Sequence, residues 1–526
     1  MLFSSYEFIF FFLPLNLFIF FQIGRRGYYQ LAIAALVAAS LFFYAWWNAS
    51  YLILLLVSIL FNYFIGLTLS RSDIYKALPV SRKNLLIFGV VVNLGLLGYF
   101  KYANFLVTTS NVFFKTSFKL ENISLPLAIS FFTFTQIAYL IDIYKKHIQK
   151  SEFLNYCLFV TFFPHLIAGP IVHYKEMIPQ FKQKTTYQVS YENIAVGLTI
   201  FSLGLFKKVV LADSIAIYAN AVFNAAAQSE ALTLFEAWVG ALAYTLQLYF
   251  DFSGYSDMAI GAARMFGIKF PLNFNSPYKA VNIIEFWRRW HITLSNFLRD
   301  YLYIPLGGNR QGKLRRYLNL MITMLLGGIW HGAGWTFVVW GALHGIYLVI
   351  NHQWHRFRQV VGHDSSNYWW SQALGCFVTF LAVIVAWVFF RAPNMSAALT
   401  MLRAMIGANG VSLPPFLSTR LAFMQNWGVQ FDGVMQVTGL RLPFVASWIF
   451  VLLFITWFTP NTNQWMVKYE PVAQHQHVAD NSLNYWWQQL QWHPTATFGS
   501  IVGVLAFVCV KTFLAASSSE FLYFNF

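Results

Sequence analysis

Charge is what this sequence has least of: 10% of its 526 residues are Asp, Glu, Lys or Arg, against about 25% in an ordinary soluble protein. With 58% of the residues hydrophobic and a mean hydropathy of +0.54, too little polar material remains to cover a water-soluble surface. Cysteine is also scarce. Cys157, Cys376 and Cys509 lie far apart in apolar sequence, which suits small buried hydrophobes better than a disulfide frame or a metal centre. The marks of a cleaved secretory leader are missing too. The apolar run from Phe8 to Phe21 has no basic segment before it, begins next to Glu7, and runs on to Arg25 and Arg26 without a small-residue cleavage site; it reads as a retained first span. Nor does the chain carry H-E-x-x-H, G-x-x-x-x-G-K-[ST] or G-x-S-x-G, the signatures of zincins, P-loops and hydrolase elbows. His352 and His355 have no nearby Cys or carboxylate that would complete a metal site.

Long apolar runs, in contrast, recur from end to end. Bounded by charge, Pro or Gly, they place spans near 6–22, 31–47, 51–69, 85–100, 125–143, 153–171, 194–211, 236–252, 317–330, 335–351, 373–390, 443–459 and 498–516. A bilayer takes about 20 residues of helix to cross, so the chain is expected to be an all-α, polytopic bundle. Pro126, Pro164 and Gly169-Pro170 predict broken or re-entrant stretches, which membranes tolerate only where protein or a wet cavity covers the backbone. The polar stretches 405–440 and 461–496 are too short for cores of their own and read as connecting loops or small caps within one membrane domain spanning 1–526.

A formal net charge of +16 would suggest nucleic acid for a soluble protein. Here the basic residues gather in short loops: Arg25 and Arg26; Arg71, Lys76, Arg82 and Lys83; Lys145, Lys146 and Lys150. That is the bias of cytoplasmic loops, and it alternates correctly with the N-terminus outside. No nucleic-acid partner is expected.

The most basic stretch runs from Lys269 to Arg316, within the connection 265–316. On a helix of 100° per residue, Ile283, Trp287, Trp290, Leu294, Phe297, Leu298 and Tyr301 share one face; Glu285, Arg288, Arg289, Asn296, Arg299 and Asp300 take the other, with His291 between them. Two readings stay open: an interfacial anchor, or a cytoplasmic vestibule whose positive field attracts a polyanion. The turn Pro305-Leu306-Gly307-Gly308-Asn309-Arg310 can offer backbone N–H groups to phosphate, though Gly-Gly-Asn is also ordinary turn chemistry. In 249–257, Asp251 and Asp257 read as carboxylates at a span end, either pairing with an Arg of the basic segment or simply ending the helix.

His331 is the costly residue. It sits inside apolar sequence, in Gly327-Gly328-Ile329-Trp330-His331-Gly332-Ala333-Gly334-Trp335, and an ionisable group at membrane depth usually faces a cavity, a partner or a substrate path. The glycines allow close backbone approach or a break in the helix. A neutral imidazole hydrogen-bonded to a neighbouring span is the other reading of the same residue. His344, without the glycine setting, reads as a packing histidine.

Six segments in order then resemble the membrane-bound O-acyltransferase (MBOAT) family, in the bacterial branch typified by the alginate O-acetyltransferase membrane subunit. They are Phe3-Ser4-Ser5 with its apolar run, LPLAISFFTF at 125–134, FPHLIAGPI at 163–171, FDFSGYSDM at 250–258, FWRRWHITLS at 286–295 and WHG at 330–332. The resemblance implies about 11–13 spans with re-entrant and in-plane amphipathic helices around a central tunnel, in a bacterial inner membrane. It implies acetyl-CoA as the cytoplasmic donor substrate, with no bound cofactor or metal, and an acetyl group passed across the membrane to an extracytoplasmic polysaccharide. The family's catalytic histidine falls on His331 and its second histidine on His291; Trp287, Arg288, Arg289, Asn309, Arg310 and Trp330 are the expected donor-binding residues. A periplasmic SGNH-type acetyltransferase is the implied partner, and this chain has no Gly-Asp-Ser nucleophile motif of its own. General-base catalysis and acetylation of His331 itself both fit, and the base is the reading taken here. A transporter or flippase for an anionic lipid or glycan, and a scaffold of an envelope polysaccharide machine, are the rival classes.

Overall fold

A computed structural model describes residues 1–71, 80–121, 123–149, 151–362, 368–433, 435, 438–439, 442–473, 485–515 and 521–522. Lys76, Lys150 and parts of the stretches 405–440 and 461–496 lie outside the described residues. The architecture is all-α. The sole strands among the described residues are β1 (Val411–Ser412) and β2 (Val429–Gln430), a parallel pair with Val411 opposite Val429.

Long helices follow the apolar runs because a helix satisfies its own backbone, as a bilayer demands. They are α1 (Glu7–Arg25), α2 (Tyr29–Ala45), α3 (Ser50–Ser70), α4 (Arg82–Phe114), α5 (Ile129–Tyr144), α6 (Phe153–Thr161), α7 (Tyr191–Ala227) and α8 (Leu234–Met265). After these come the short α9 (Ile283–Arg289) and α10 (Ile292–Leu298), then α11 (Lys313–His331), α12 (Trp335–Val361), α13 (Trp369–Arg391), α14 (Met395–Met405), α15 (Leu442–Phe458) and α16 (Ala496–Ala515). Among the described residues six helices are long and apolar enough to cross a membrane: α1, α3, α4, α7, α13 and α16. Helices α2, α5 and most of α15 are apolar but shorter. The protein is a multi-pass membrane protein.

Several expected spans are longer than the sequence suggests, 335–351 among them, which reaches Val361. The run 85–100 extends over all of α4, 194–211 over α7, and 236–252 over α8. Charged residues that read as span ends are buried inside helices, because each has a partner there. Lys101 donates to Ser130 Oγ at 3.2 Å. Lys208 Nζ lies 2.7 Å from Asp213 and 2.8 Å from Asp251. Both lysines sit in π-helical turns, Gly98–Tyr102 and Lys207–Ala212, where the wider coil lets a polar side chain enter the packing. Asp251 therefore pairs with Lys208, and Asp257 accepts a hydrogen bond from Thr462 Oγ1 at 2.7 Å. The stretch 153–171 is broken as its prolines predict: α6 ends at Thr161, Phe163–Leu166 makes a single turn, and no helix follows until Tyr174.

The chain divides into two compact units. The first comprises Met1–Phe206, Gly254–Leu272 and Thr462–Asn525. In it α1 packs on α2, α3 and α4 on α5, and the first half of α7 on α16. Its core is aromatic, with Phe8 ringed by Phe3 at 4.8 Å and by Phe43 and Phe163 at 5.8 Å each. Asn62 and Asn93 tie α3 to α4 by exchanging side-chain hydrogen bonds of 3.1 and 2.7 Å, the polar glue that membrane helices use. The second unit, Lys207–Ser253 with Asn273–Asn461, holds α9 to α15 and every residue of the site described next.

Candidate active site

The site starts from a reversal of the chain. Helix α11 ends at His331, residues 332–334 turn back, and α12 begins at Trp335. Gly328 and Gly341 let the two helices touch backbone to backbone: a methyl group on Gly341 would come 2.5 Å from the Met324 carbonyl oxygen, and one on Gly328 would meet that of Phe337. Of the two readings of the glycine-rich run, close approach holds for Gly328, and the helix breaks immediately after the histidine.

His331 is 3% exposed. Its ring meets Trp330 at 4.9 Å, Trp340 of α12 at 5.0 Å and Phe390 of α13 at 5.2 Å, each roughly edge to face. Aromatic rings from α11, α12 and α13 thus enclose the imidazole.

The basic segment is not one helix. It breaks at Trp290-His291 into α9 and α10, with His291 in the left-handed region at φ 43° and ψ 54°. The predicted apolar face survives in the main: Ile283, Trp287, Trp290, Leu294, Phe297 and Leu298 are buried, and Tyr301 is half-buried. The break, however, moves His291 from the flank of a helix to complete burial, at 0% exposure. Asn273 holds it there. Its Oδ1 lies 3.1 Å from His291 Nδ1 and accepts from Thr293 Oγ1 at 2.9 Å, while its backbone oxygen accepts from the Ile292 amide at 2.9 Å. The Thr293 amide, 3.4 Å away, donates to the same side-chain atom, which identifies that atom as the oxygen. His291 Nδ1 therefore carries the proton and Nε2 the lone pair. Burial pushes the imidazole down to about 3, so it is neutral at physiological pH.

Trp330 connects the two histidines: its ring lies 6.5 Å from that of His291 and 4.9 Å from that of His331. The structure thus gathers His291, Trp330 and His331 around one indole. The other expected residues are distributed differently. Trp287 is buried and donates from Nε1 to His344 Nδ1 at 3.3 Å. Arg289 is held by Glu285 at 2.7 Å and donates to the Asn275 carbonyl. Arg288, Asn309 and Arg310 are exposed, as are Lys313 and Arg315. The turn before α11 has Gly307 and Gly308 at φ 107° and 54° and is held to that helix by Asn319 donating to the Gly308 carbonyl at 3.0 Å.

Asn273 has no distinguishing sequence signal; its contact with His291 crosses 18 residues. Phe390 and Trp340 carry only the apolar pattern of their helices. His344 had a signal, an ionisable group in apolar sequence, and it shares the aromatic row of His331 through Trp340, whose ring lies 4.8 Å from its own.

Comparison with known proteins gives the same frame. Residues 42–391 match the membrane-bound O-acyltransferase family, MBOAT. The chain is 43% identical to the peptidoglycan O-acetyltransferase of Helicobacter pylori, over 98% of this chain and 97% of that protein. It is 40% identical to the Pseudomonas putida protein named "Probable alginate O-acetylase AlgI", over 100% of both. A more distant relative, the teichoic acid D-alanyltransferase of Streptococcus thermophilus, is 29% identical over 50% of this chain and 68% of its own length. With the buried histidine pair in place and the match running through it, this chain belongs to the membrane-bound O-acyltransferase family, in its bacterial O-acetylation branch, and is an acyltransferase.

Proposed function

We propose that this enzyme takes an acetyl group from acetyl-CoA on the cytoplasmic side of a bacterial inner membrane. The group is passed across for O-acetylation of an extracytoplasmic carbohydrate polymer, through a periplasmic acetyltransferase partner. The observation that carries the reading is the pair of buried histidines around Trp330, one at the α11–α12 reversal and the other locked by Asn273. The named substrates of the full-length relatives, peptidoglycan and alginate, are both carbohydrate polymers with free hydroxyls.

His331 is the general base. Its neutral imidazole takes the proton as the acceptor oxygen attacks the thioester carbon; the C–S bond then breaks and the imidazolium returns the proton to the thiolate, so no net proton is consumed. His291, neutral and fixed in one tautomer, orients the donor or the proton path. The exposed Arg288, Arg310, Lys313 and Arg315 supply the field that draws in the phosphates of CoA.

The test is acetyl transfer or thioester cleavage from labelled acetyl-CoA by the purified chain. His331→Ala should lower the rate by about 10²–10⁴-fold with the protein still monodisperse. Unchanged turnover in that variant overturns the catalytic assignment, and movement of an anionic lipid or glycan without acetyl transfer decides for a transporter.

A further inference from the structure

Beyond the histidine pair, the same unit holds a row of buried ring N–H groups that the proposed chemistry does not use. Trp340 and His344 stand four residues apart on one face of α12. His331, Trp340 and His344 follow one another in ring-to-ring steps of 5.0 and 4.8 Å.

The tautomer of His344 follows from its partner. Trp287 Nε1 donates to its Nδ1, and an indole nitrogen can only donate. Nδ1 is therefore the lone pair, and in the neutral ring the proton sits on Nε2. His344 Nε2 and Trp340 Nε1 are both buried and, among the described residues, meet no hydrogen-bond partner. A buried donor left unmade is costly, and here two lie side by side next to His331.

The surroundings restrict what could supply the missing acceptors. Phe286 lies parallel to the His344 ring at 6.1 Å, Trp387 stacks on Trp340 at 5.8 Å, and Tyr347 and Trp287 close on His344 at 5.8 and 5.2 Å. Aromatic surroundings of this kind reject charge and suit an uncharged group that brings carbonyl oxygens. Trp287, which orients His344, is the neighbour in sequence of the exposed Arg288, where an anionic end would be drawn.

We infer that Trp340 and His344 bind the arm of the thioester donor, their Nε1–H and Nε2–H donating to the amide carbonyls that precede the thioester, so that the enzyme selects amide-bearing donors. This rests on the acyl-transfer reading above and adds a specificity determinant to it. His344 is then a donor-binding residue rather than a packing one, and Trp287 is a positioning residue that acts through it.

The experiment compares acetyl-pantetheine, which has two amides, with S-octyl thioacetate, which has a long arm and none, on the purified full chain. The wild type should prefer acetyl-pantetheine in kcat/KM. His344→Phe and Trp340→Phe should each reduce that preference by roughly three- to tenfold, through a rise in KM for acetyl-pantetheine that exceeds any change in kcat/KM on S-octyl thioacetate. His344→Gln, whose amide can still donate, should restore part of the preference. An unaltered preference in both Phe variants, or an equal loss on both donors, overturns the inference while leaving acyl transfer intact. A wild type that turns over acetyl-CoA but shows no preference for acetyl-pantetheine overturns the inference alone, and one that cleaves no thioester, acetyl-CoA included, overturns the functional reading as well.

Discussion

At the scale of single residues, the candidate site depends on how its histidines are buried. His291 is the case where this can be read out in solution. Its folded value of about 3 lies below the ordinary 6.5. Between those values the unfolded chain binds a proton that the folded one does not, so stability falls as pH drops from 6.5 towards 3 and is unaffected above it. His291→Gln, which cannot titrate, should show a shallower loss of thermal stability between pH 6.5 and 4 than the wild type in the same detergent; identical slopes would mean that His291 is not buried neutral. Asn273 sets the direction of that imidazole. Asn273→Ala leaves His291 Nδ1–H and Thr293 Oγ1–H without their acceptor and should destabilise the protein by about 1–3 kcal/mol. It should also lower kcat with little change in KM for the donor, because the imidazole is misaligned while the basic entrance is intact.

At the scale of elements, polar groups and glycines fix how the helices meet. Lys208, 3% exposed, lies between Asp213 of its own helix and Asp251 of α8, itself 1% exposed. Lys208→Met would leave the buried Asp251 and the half-buried Asp213 with no cation between them, and removing one member of a buried ion pair costs about 3–5 kcal/mol. A sharp fall in thermal stability is expected, with partial recovery when Asp251→Asn is added; a Lys208→Met protein as stable as wild type would show that the carboxylates are protonated. In the α11–α12 hairpin, Gly341→Val has no room against Met324 and Leu325, so the helices must separate and carry His331 away from Trp340. Activity should fall by at least about tenfold while the protein remains folded, since a displacement of about 1 Å can cost a hundredfold. Gly95→Ala, inside α4 with nothing within 4 Å among the described residues, should leave activity unchanged. The glycine crossing of α7 and α8 in the other unit has the same logic: a methyl on Gly204 would reach 2.5 Å from the Gly254 oxygen, and one on Gly261 would reach 2.6 Å from that of Gly197.

At the scale of the whole molecule, the formal charge of +16 is uneven in its availability. Arg289 and Arg299 are matched by Glu285 and Asp300, whereas Arg288, Arg310, Lys313 and Arg315 are exposed. An exposed field acts on association and is screened by salt over about 10 Å at 0.1 M. Arg288→Glu should therefore raise the apparent KM for acetyl-CoA at low ionic strength and much less at high ionic strength, with kcat unchanged. If the donor's KM does not move at either salt concentration, the basic face is an anchor and not an entrance.

The all-α, multi-pass character was determined by the sequence alone, because a bilayer admits only helices and closed barrels, and long continuous apolar runs without the alternation of barrel strands suit only helices. His331 could be singled out as an ionisable residue in a glycine-rich apolar run, and His291 as part of a resembling motif; their closeness through Trp330 could not. The extent of α4, α7 and α8 was not legible, since a charge reads as a span end until its partner is known, and Lys208 finds Asp251 43 residues away. Nor was the complete burial of His291, which depends on a left-handed residue between two short helices and on Asn273 across the fold. The place of His344 was decided by tertiary structure as well. Periodicity puts it on the same face of α12 as Trp340, but only the packing of α9 and α11 against α12 brings Trp287 to its Nδ1 and His331 to the other side of the Trp340 indole.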